Sequence, residues 1–325
     1  MRKPRFGTFG TASALAVAAA LTLAACSSTS SGGTAASTGS TASAASTGPI
    51  VIAAFNFGES KILANMYADV LKKAGFDVSV KALGAREIVE PALEKGSKAG
   101  GVDVVPEYLS TFTEFLNTKQ NGASAPAQAS PDEAATLTAA RTLAAKAGIT
   151  VLDPSPATDE NAFAVTKDFA TKHNLTKLSD LATYTGPLVL GGPPECPQRP
   201  FCEPGLMKTY GIKFASFKSL DAGGPLTKKA LQQGTIQVGL VFSSDAGIAA
   251  FGLQVLDDDK HLQNVDAVVA TVNSSVVSAK ITQALNAVDA ALTTADLVAL
   301  NKKVDIDGGD PAQVAQDWLT SKGLA

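Results

Sequence analysis

Between residues 50 and 108 the chain alternates short β-branched runs with amphipathic stretches of helical length, and that alternation admits few folds. Residues 50–54 read as a strand. After Gly58-Glu59-Ser60, the apolar residues Ile62, Leu63, Met66, Tyr67, Val70 and Leu71 recur at helical spacing, and Gly75 closes the helix. Residues 76–83 alternate as a second strand, 85–96 read as a second helix, and 102–105 as a third strand running into Pro106-Glu107-Tyr108. Strands alternating with helices in this way predict a parallel sheet wound with right-handed crossovers. Ligands of such sheets sit at the carboxyl ends of the strands, so the loops at 55–60, 84–86 and 106–111 are expected to share one rim.

Residues 117–132 are polar and contain proline, which predicts a loop, and 133–147 form an amphipathic helix. A second α/β unit follows. Strands are expected at 162–165, 188–190, 214–219 and 238–242, with helices starting near 179, 206 and 226 between them; 254–256 and 267–271 then read as strands ahead of C-terminal helices that end near Trp318. The economical arrangement is an α/β body of two lobes with a ligand cleft between them. The first lobe takes residues 49–157 and 246–325, and the second takes 158–245, inserted into the first. The chain is expected to cross between lobes near 154–161 and 242–245.

The N-terminus carries an address. Arg2, Lys3 and Arg5 precede an apolar run from Ala12 to Ala25, and Leu23-Ala24-Ala25-Cys26 is a lipobox, so residues 1–25 read as a lipoprotein signal peptide and Cys26 as the acylated first residue. Residues 26–48 are almost wholly Ser, Thr, Gly and Ala. Such a segment buries too little apolar surface to offset its ordering entropy and predicts a flexible linker. The expected location is the outer face of the cytoplasmic membrane, held by lipid alone, since no later apolar stretch approaches the ~20 residues of a spanning helix. Formal charge is −3, and −6 without Arg2, Lys3 and Arg5; with no basic stripe or interleaved aromatic run, nucleic acid is excluded as a partner. The folded part is expected to be a monomer.

Cys196 and Cys202 flank Pro197-Gln198-Arg199-Pro200-Phe201. In an oxidising compartment they predict a disulfide, which at this loop length stabilises by about 2.4 kcal/mol in the chain-entropy model. It is either a purely structural clip or one that shapes a binding loop. A zinc pair is the alternative, although neither His173 nor His261 has ligand spacing to these thiols. A serine hydrolase would need a Gly-x-Ser-x-Gly elbow and a usable histidine, and Gly191-Gly192-Pro193-Pro194 lacks the lysine and hydroxyl that follow a phosphate-binding glycine loop. No catalytic residues, metal site or cofactor are therefore expected, and the chain is not read as an enzyme.

Several segments in order carry a family resemblance: Phe55-Asn56-Phe57-Gly58-Glu59-Ser60, Leu83-Gly84-Ala85-Arg86-Glu87, Val104-Val105-Pro106-Glu107-Tyr108, Asp159-Glu160-Asn161-Ala162-Phe163, Gly191-Gly192-Pro193-Pro194-Glu195-Cys196, Ser219-Leu220-Asp221-Ala222-Gly223-Gly224, Phe242-Ser243-Ser244-Asp245 and Val304-Asp305-Ile306-Asp307-Gly308. Together the chain resembles the osmoprotectant-type substrate-binding proteins of ABC importers, which take glycine betaine, choline, carnitine or proline betaine. The resemblance implies a type II periplasmic-binding-protein fold that closes on its ligand like a hinge and delivers it to permease subunits.

It also implies site residues. A quaternary ammonium has no hydrogen to donate, so it is held by aromatic faces. Tyr108 matches the first position of the family's tyrosine cage and Thr111 a hydroxyl that helps hold the ligand carboxylate. Phe242 stands where a tyrosine of the second lobe is usual, with a core position as the alternative. Asn161 falls at a second cage position and Phe55 where some members carry a lysine; both depart from the family pattern. Phe163 shares a strand face with Asn161, although a core position suits it better. Arg199 and Phe201 bring a cation and a ring to the cleft, or Arg199 faces solvent. Asn56, Glu59 and Ser60 lie where a loop opens a helix, and acid and hydroxyl side chains are favoured there in any case. Two further readings stand beside transport of a quaternary amine: a lipoprotein of the same fold that binds another polar or aromatic small molecule, and an interaction lipoprotein with no transport role.

Overall fold

The computed structural model describes residues 48–325. The signal peptide, Cys26 and all but the last residue of the linker lie outside the described residues.

Among the described residues ten strands follow in chain order: β1 (Ile50–Phe55), β2 (Val78–Gly84), β3 (Val104–Tyr108), β4 (Ile149–Thr158), β5 (Asn161–Thr166), β6 (Val189–Gly192), β7 (Ser216–Ser219), β8 (Val238–Phe242), β9 (Leu253–Val255) and β10 (Ala267–Asn273). They form two five-stranded sheets, ordered β2-β1-β3-β10-β4 and β7-β6-β8-β5-β9. In the first, β1 runs parallel to β2 and β3, while β10 is antiparallel to β3 and β4. In the second, β6 is parallel to β7 and β8, and β5 is antiparallel to β8 and β9. The parallel half of each sheet comes from the β-α-β alternation. Every residue of β1 is buried, as expected of a strand covered on both faces.

Helix Gly58–Lys73 lays Ile62, Leu63, Met66, Tyr67 and Leu71 on the first sheet. The Tyr67 hydroxyl donates to Asp289 Oδ1 at 2.6 Å, and the Ala270 amide of β10 donates to the other Asp289 oxygen at 3.2 Å. That carboxyl joins two helices to the sheet inside the core, and burial pushes its pKa up to about 8. The second lobe has its own core around Phe163, Leu190, Leu206 and Val238, which also encloses the Cys196–Cys202 disulfide, Cα to Cα 5.2 Å. The thiols are thus spent on each other, and the zinc pair is not formed.

Three expectations need correction. β9 pairs with β5, so the second sheet keeps the chain to Val255, past the boundary drawn at 245/246. The return crossing accordingly lies at 256–266, where the Asp266 carbonyl accepts from the Asp159 amide at 3.0 Å, and not at 242–245. That latter segment turns back along the first crossing, with the Ser243 amide donating to the Glu160 carbonyl at 2.9 Å. Residues 117–121 are also helical: helix Leu109–Asn121 continues through them because Phe112 and Leu116 repeat at helical spacing on the core, and Gly122, at φ 90°, ends it.

Candidate functional site

A cavity of about 590 Å³ opens between the two sheets at the carboxyl ends of β1, β2 and β3. The three rim loops expected from the strand pattern all line it, through Phe55, Asn56, Gly84, Arg86, Tyr108 and Thr111. From the second lobe come Asn161 and Phe242, directly opposite each other on β5 and β8, and Arg199 and Phe201 from the disulfide loop. Phe163 lies instead in the second core, 1% exposed.

The aromatic centre of the cavity is Phe57, to which the sequence reading assigned no role. Its ring centroid lies 5.9 Å from Phe55, 6.2 Å from Tyr108 and 5.6 Å from Phe242, so it bridges the rings of the first lobe to that of the second. The alternation Phe55-Asn56-Phe57 at the end of β1 was the available signal. Gly58 then lets the following helix approach residues 301–306, since a Cβ there would collide with the Asp305 carboxylate.

Glu59, at the start of that helix, is no exposed helix-start acid; it is 4% exposed and joins the lobes. The Tyr108 hydroxyl donates to its Oε1 at 2.7 Å, while Oε2 accepts from Ser244 Oγ at 2.8 Å and Asn301 Nδ2 at 2.6 Å. Ser60 turns inward too, its Oγ accepting from the Phe55 amide at 2.8 Å. Ser244 follows β8, so this cluster is the floor of the cleft and fixes the tilt of the Tyr108 ring. Burial pushes the Glu59 carboxyl up, opposed by hydrogen bonds from Asn301, Tyr108 and Ser244, and it drives the Tyr108 hydroxyl well above its ordinary range with help from the Glu59 charge. Asp159, on the first crossing, is raised well above the carboxylate range by burial and by Glu59. Asp266, on the second, accepts from the Ser110 and Thr111 amides, and burial lifts it to about 7.

Two arginines line the cavity, each paired with a glutamate. Arg86 is buried, bonds bidentately to Glu107 at 2.7 to 3.1 Å, donates to Thr111 Oγ1 at 3.1 Å, and places its guanidinium 5.3 Å from the Phe55 ring centroid. Arg199 lines the cavity as a partly exposed ion pair: its Nε and Nη2 reach the two Glu87 oxygens at 3.2 and 2.9 Å, tying the disulfide loop to the first lobe. Phe201 is anchored through its carbonyl, which accepts from Gln263 Nε2 at 2.9 Å, and Gln263 Oε1 accepts from Asn161 Nδ2 at 3.4 Å. His173 packs at a tilt against the Phe169 ring and edge-on to Tyr184. Among the described residues there is no group of His, Cys, Asp and Glu arranged to hold a metal, and no helix long and apolar enough to cross a membrane.

Two α/β lobes joined by two crossings around a cleft with an aromatic centre, an acidic floor and two arginine–glutamate pairs define a two-lobed solute-binding protein of the type II periplasmic class. The chain belongs to the family described as the substrate binding domain of the ABC-type glycine betaine transport system, whose model matches residues 48–321. It is 29% identical over 286 residues to the glycine betaine-binding protein YehZ of Escherichia coli K12, covering 85% of this chain and 91% of that protein. A glycine-betaine-binding protein of Pseudomonas aeruginosa is 26% identical over 286 residues, 84% of this chain and 88% of its own. A solved glycine betaine/carnitine/choline ABC transporter structure superposes with a TM-score of 0.62 at 25% identity, covering 85% of this chain and 99% of that one. The protein is thus a substrate-binding component of an ABC importer, in a family defined by transport and not by catalysis.

Proposed function

We propose that the cleft captures a quaternary ammonium compatible solute of the glycine betaine or choline kind and that the closed form delivers it to the permease. The observation that carries this is the ring cluster: Phe57 lies within 6.2 Å of Tyr108 and 5.6 Å of Phe242, faces drawn from both lobes. A trimethylammonium seated on them gains about 0.5 to 2 kcal/mol per ring, and it gains all three only when the lobes are together, which shifts the population toward closure. A ligand carboxylate then points toward Thr111 and Arg199, which receive it, the latter in exchange for Glu87. Asn56, Asn161 and Phe201 border the same space. Phe55 contributes a ring that Arg86 already covers.

The segment Leu23-Ala24-Ala25-Cys26 supports attachment to the outer face of the cytoplasmic membrane through acylated Cys26, with the body acting as a monomer on its Ser/Thr/Gly tether. The test of the ligand class is calorimetric titration with glycine betaine, choline and the uncharged carbon isostere of choline. The reading expects binding of at least one cation and a large loss for the isostere. Equal binding of choline and its isostere would refute it and favour an apolar or aromatic ligand instead.

A further inference from the structure

Beneath the ring cluster lie two carboxyls that share one serine. Ser244 Oγ donates to Glu59 Oε2 and the Ser244 amide donates to Asp159 Oδ1, both at 2.8 Å. Their environments differ. Glu59 has three donors on its two oxygens, an arrangement suited to an ionised carboxylate. Asp159 is 4% exposed and lines the ligand cavity. Its Oδ1 takes the Ser244 amide and shares the Ser243 hydroxyl, at 3.2 Å, with Glu160 Oε2, which is nearer at 2.7 Å. Its Oδ2 accepts no hydrogen bond from an N–H or hydroxyl of the described residues, and the Asp159 carboxyl stands within hydrogen-bond reach of Glu59.

Nor does a cation answer it. Arg86 is held by Glu107, Arg199 by Glu87, Lys119 by Glu90 and Glu94, and the buried Lys228 by Asp245; the titratable groups that face Asp159 are the acids Glu59, Glu160 and Asp266 and the Tyr108 hydroxyl. Two ionised carboxyls this close, without a counter-charge and out of water, are too costly to coexist, and the one with fewer donors keeps its proton.

We infer that Asp159 is the exchangeable counter-charge of the site: it carries a proton while the cleft is empty, and a bound quaternary ammonium takes that proton's place. This rests on the quaternary ammonium reading above. On binding, the Asp159 O–H bond breaks, its electron pair stays on the carboxylate, and the proton leaves to buffer. With choline the cleft gains one positive charge and loses another, so its net charge is unchanged; glycine betaine also brings its own carboxylate, so the cleft becomes one charge more negative.

Such exchange makes affinity depend on pH: where free Asp159 is protonated, each unit of pH tightens binding by up to about tenfold. The test is titration calorimetry with choline, and with glycine betaine in parallel, across roughly pH 5 to 8 in buffers of different ionisation enthalpy, which counts protons released. Wild type is expected to release close to one proton per bound ligand at the acid end, fewer as pH rises. Asp159→Asn, checked for folding by its thermal melt, should release none and lose the pH slope. Ligand binding with no proton release and no slope in wild type would overturn the inference and leave the quaternary ammonium reading standing. An unchanged proton count in Asp159→Asn would overturn it as well, by assigning the proton to another carboxyl. Failure of wild type to bind either probe at any pH would overturn both.

Discussion

Phe57→Ala is the perturbation that asks most of the proposed site, because Phe57 is the ring that touches Phe55, Tyr108 and Phe242 together. Its removal takes away one cation–π face, worth about 0.5 to 2 kcal/mol. It also takes away ring–ring contacts, each worth about 0.5 to 1.5 kcal/mol, that hold Tyr108 and Phe242 in place. The second loss falls on the free and bound protein alike and so affects stability more than affinity. The expected weakening of a betaine is therefore about 1 to 2 kcal/mol, roughly 5-fold to 30-fold in Kd. Phe57→Leu keeps apolar bulk and loses the π face, so it should weaken binding nearly as much while melting closer to wild type. Calorimetric titration beside thermal melts of both variants separates these effects. Wild-type affinity in both, at unchanged stability, would refute the claim that this ring holds the cation.

The Arg199–Glu87 pair is partly exposed, so Glu87→Ala should cost no more than about 1 kcal/mol of closed-state stability; small-angle scattering should show a more open free form, and an unchanged profile would count against a clasp. Replacing both Cys196 and Cys202 by serine should lower unfolding free energy by roughly 2 kcal/mol and loosen the loop that carries Arg199, read by denaturant unfolding. For Asp289, the folded pKa near 8 exceeds the ordinary value of 3.8, so the folded state binds more protons between these limits. Its contribution is present in full below about pH 4 and is lost as pH rises through about 8. Melts of wild type should therefore fall relative to Asp289→Asn over that window, and parallel curves would contradict the assignment.

Local pattern carried much of the fold because β1, β2 and β3 obey short-range rules: a buried run, a helical repeat, a glycine stop. Those same rules place Phe55, Asn56, Tyr108 and Thr111 at strand ends, where one cavity gathers them. Contacts between distant segments were not legible. Glu59 resembles an ordinary first-turn acid until Asn301, 242 residues later, is brought to its carboxylate. Phe57 became central only when β8 set Phe242 across the cleft. The strand at 254–256 was legible but its partner was not: the late return crossing follows from β9 pairing with β5, and pairing between strands so far apart in the chain leaves no local mark. The end of helix Leu109–Asn121 was hidden because its last five residues are all polar, although Asn117 is buried and donates to Glu114 and the Pro126 carbonyl, bonds that only the fold brings together.

The most direct measurement is the structure of the protein crystallised with glycine betaine. The account predicts the quaternary nitrogen within about 6 Å of the Phe57, Tyr108 and Phe242 centroids, with the carboxylate toward Thr111 and Arg199. A nitrogen bound away from these rings, or a carboxylate seated against Asp159 and Glu59, would contradict it.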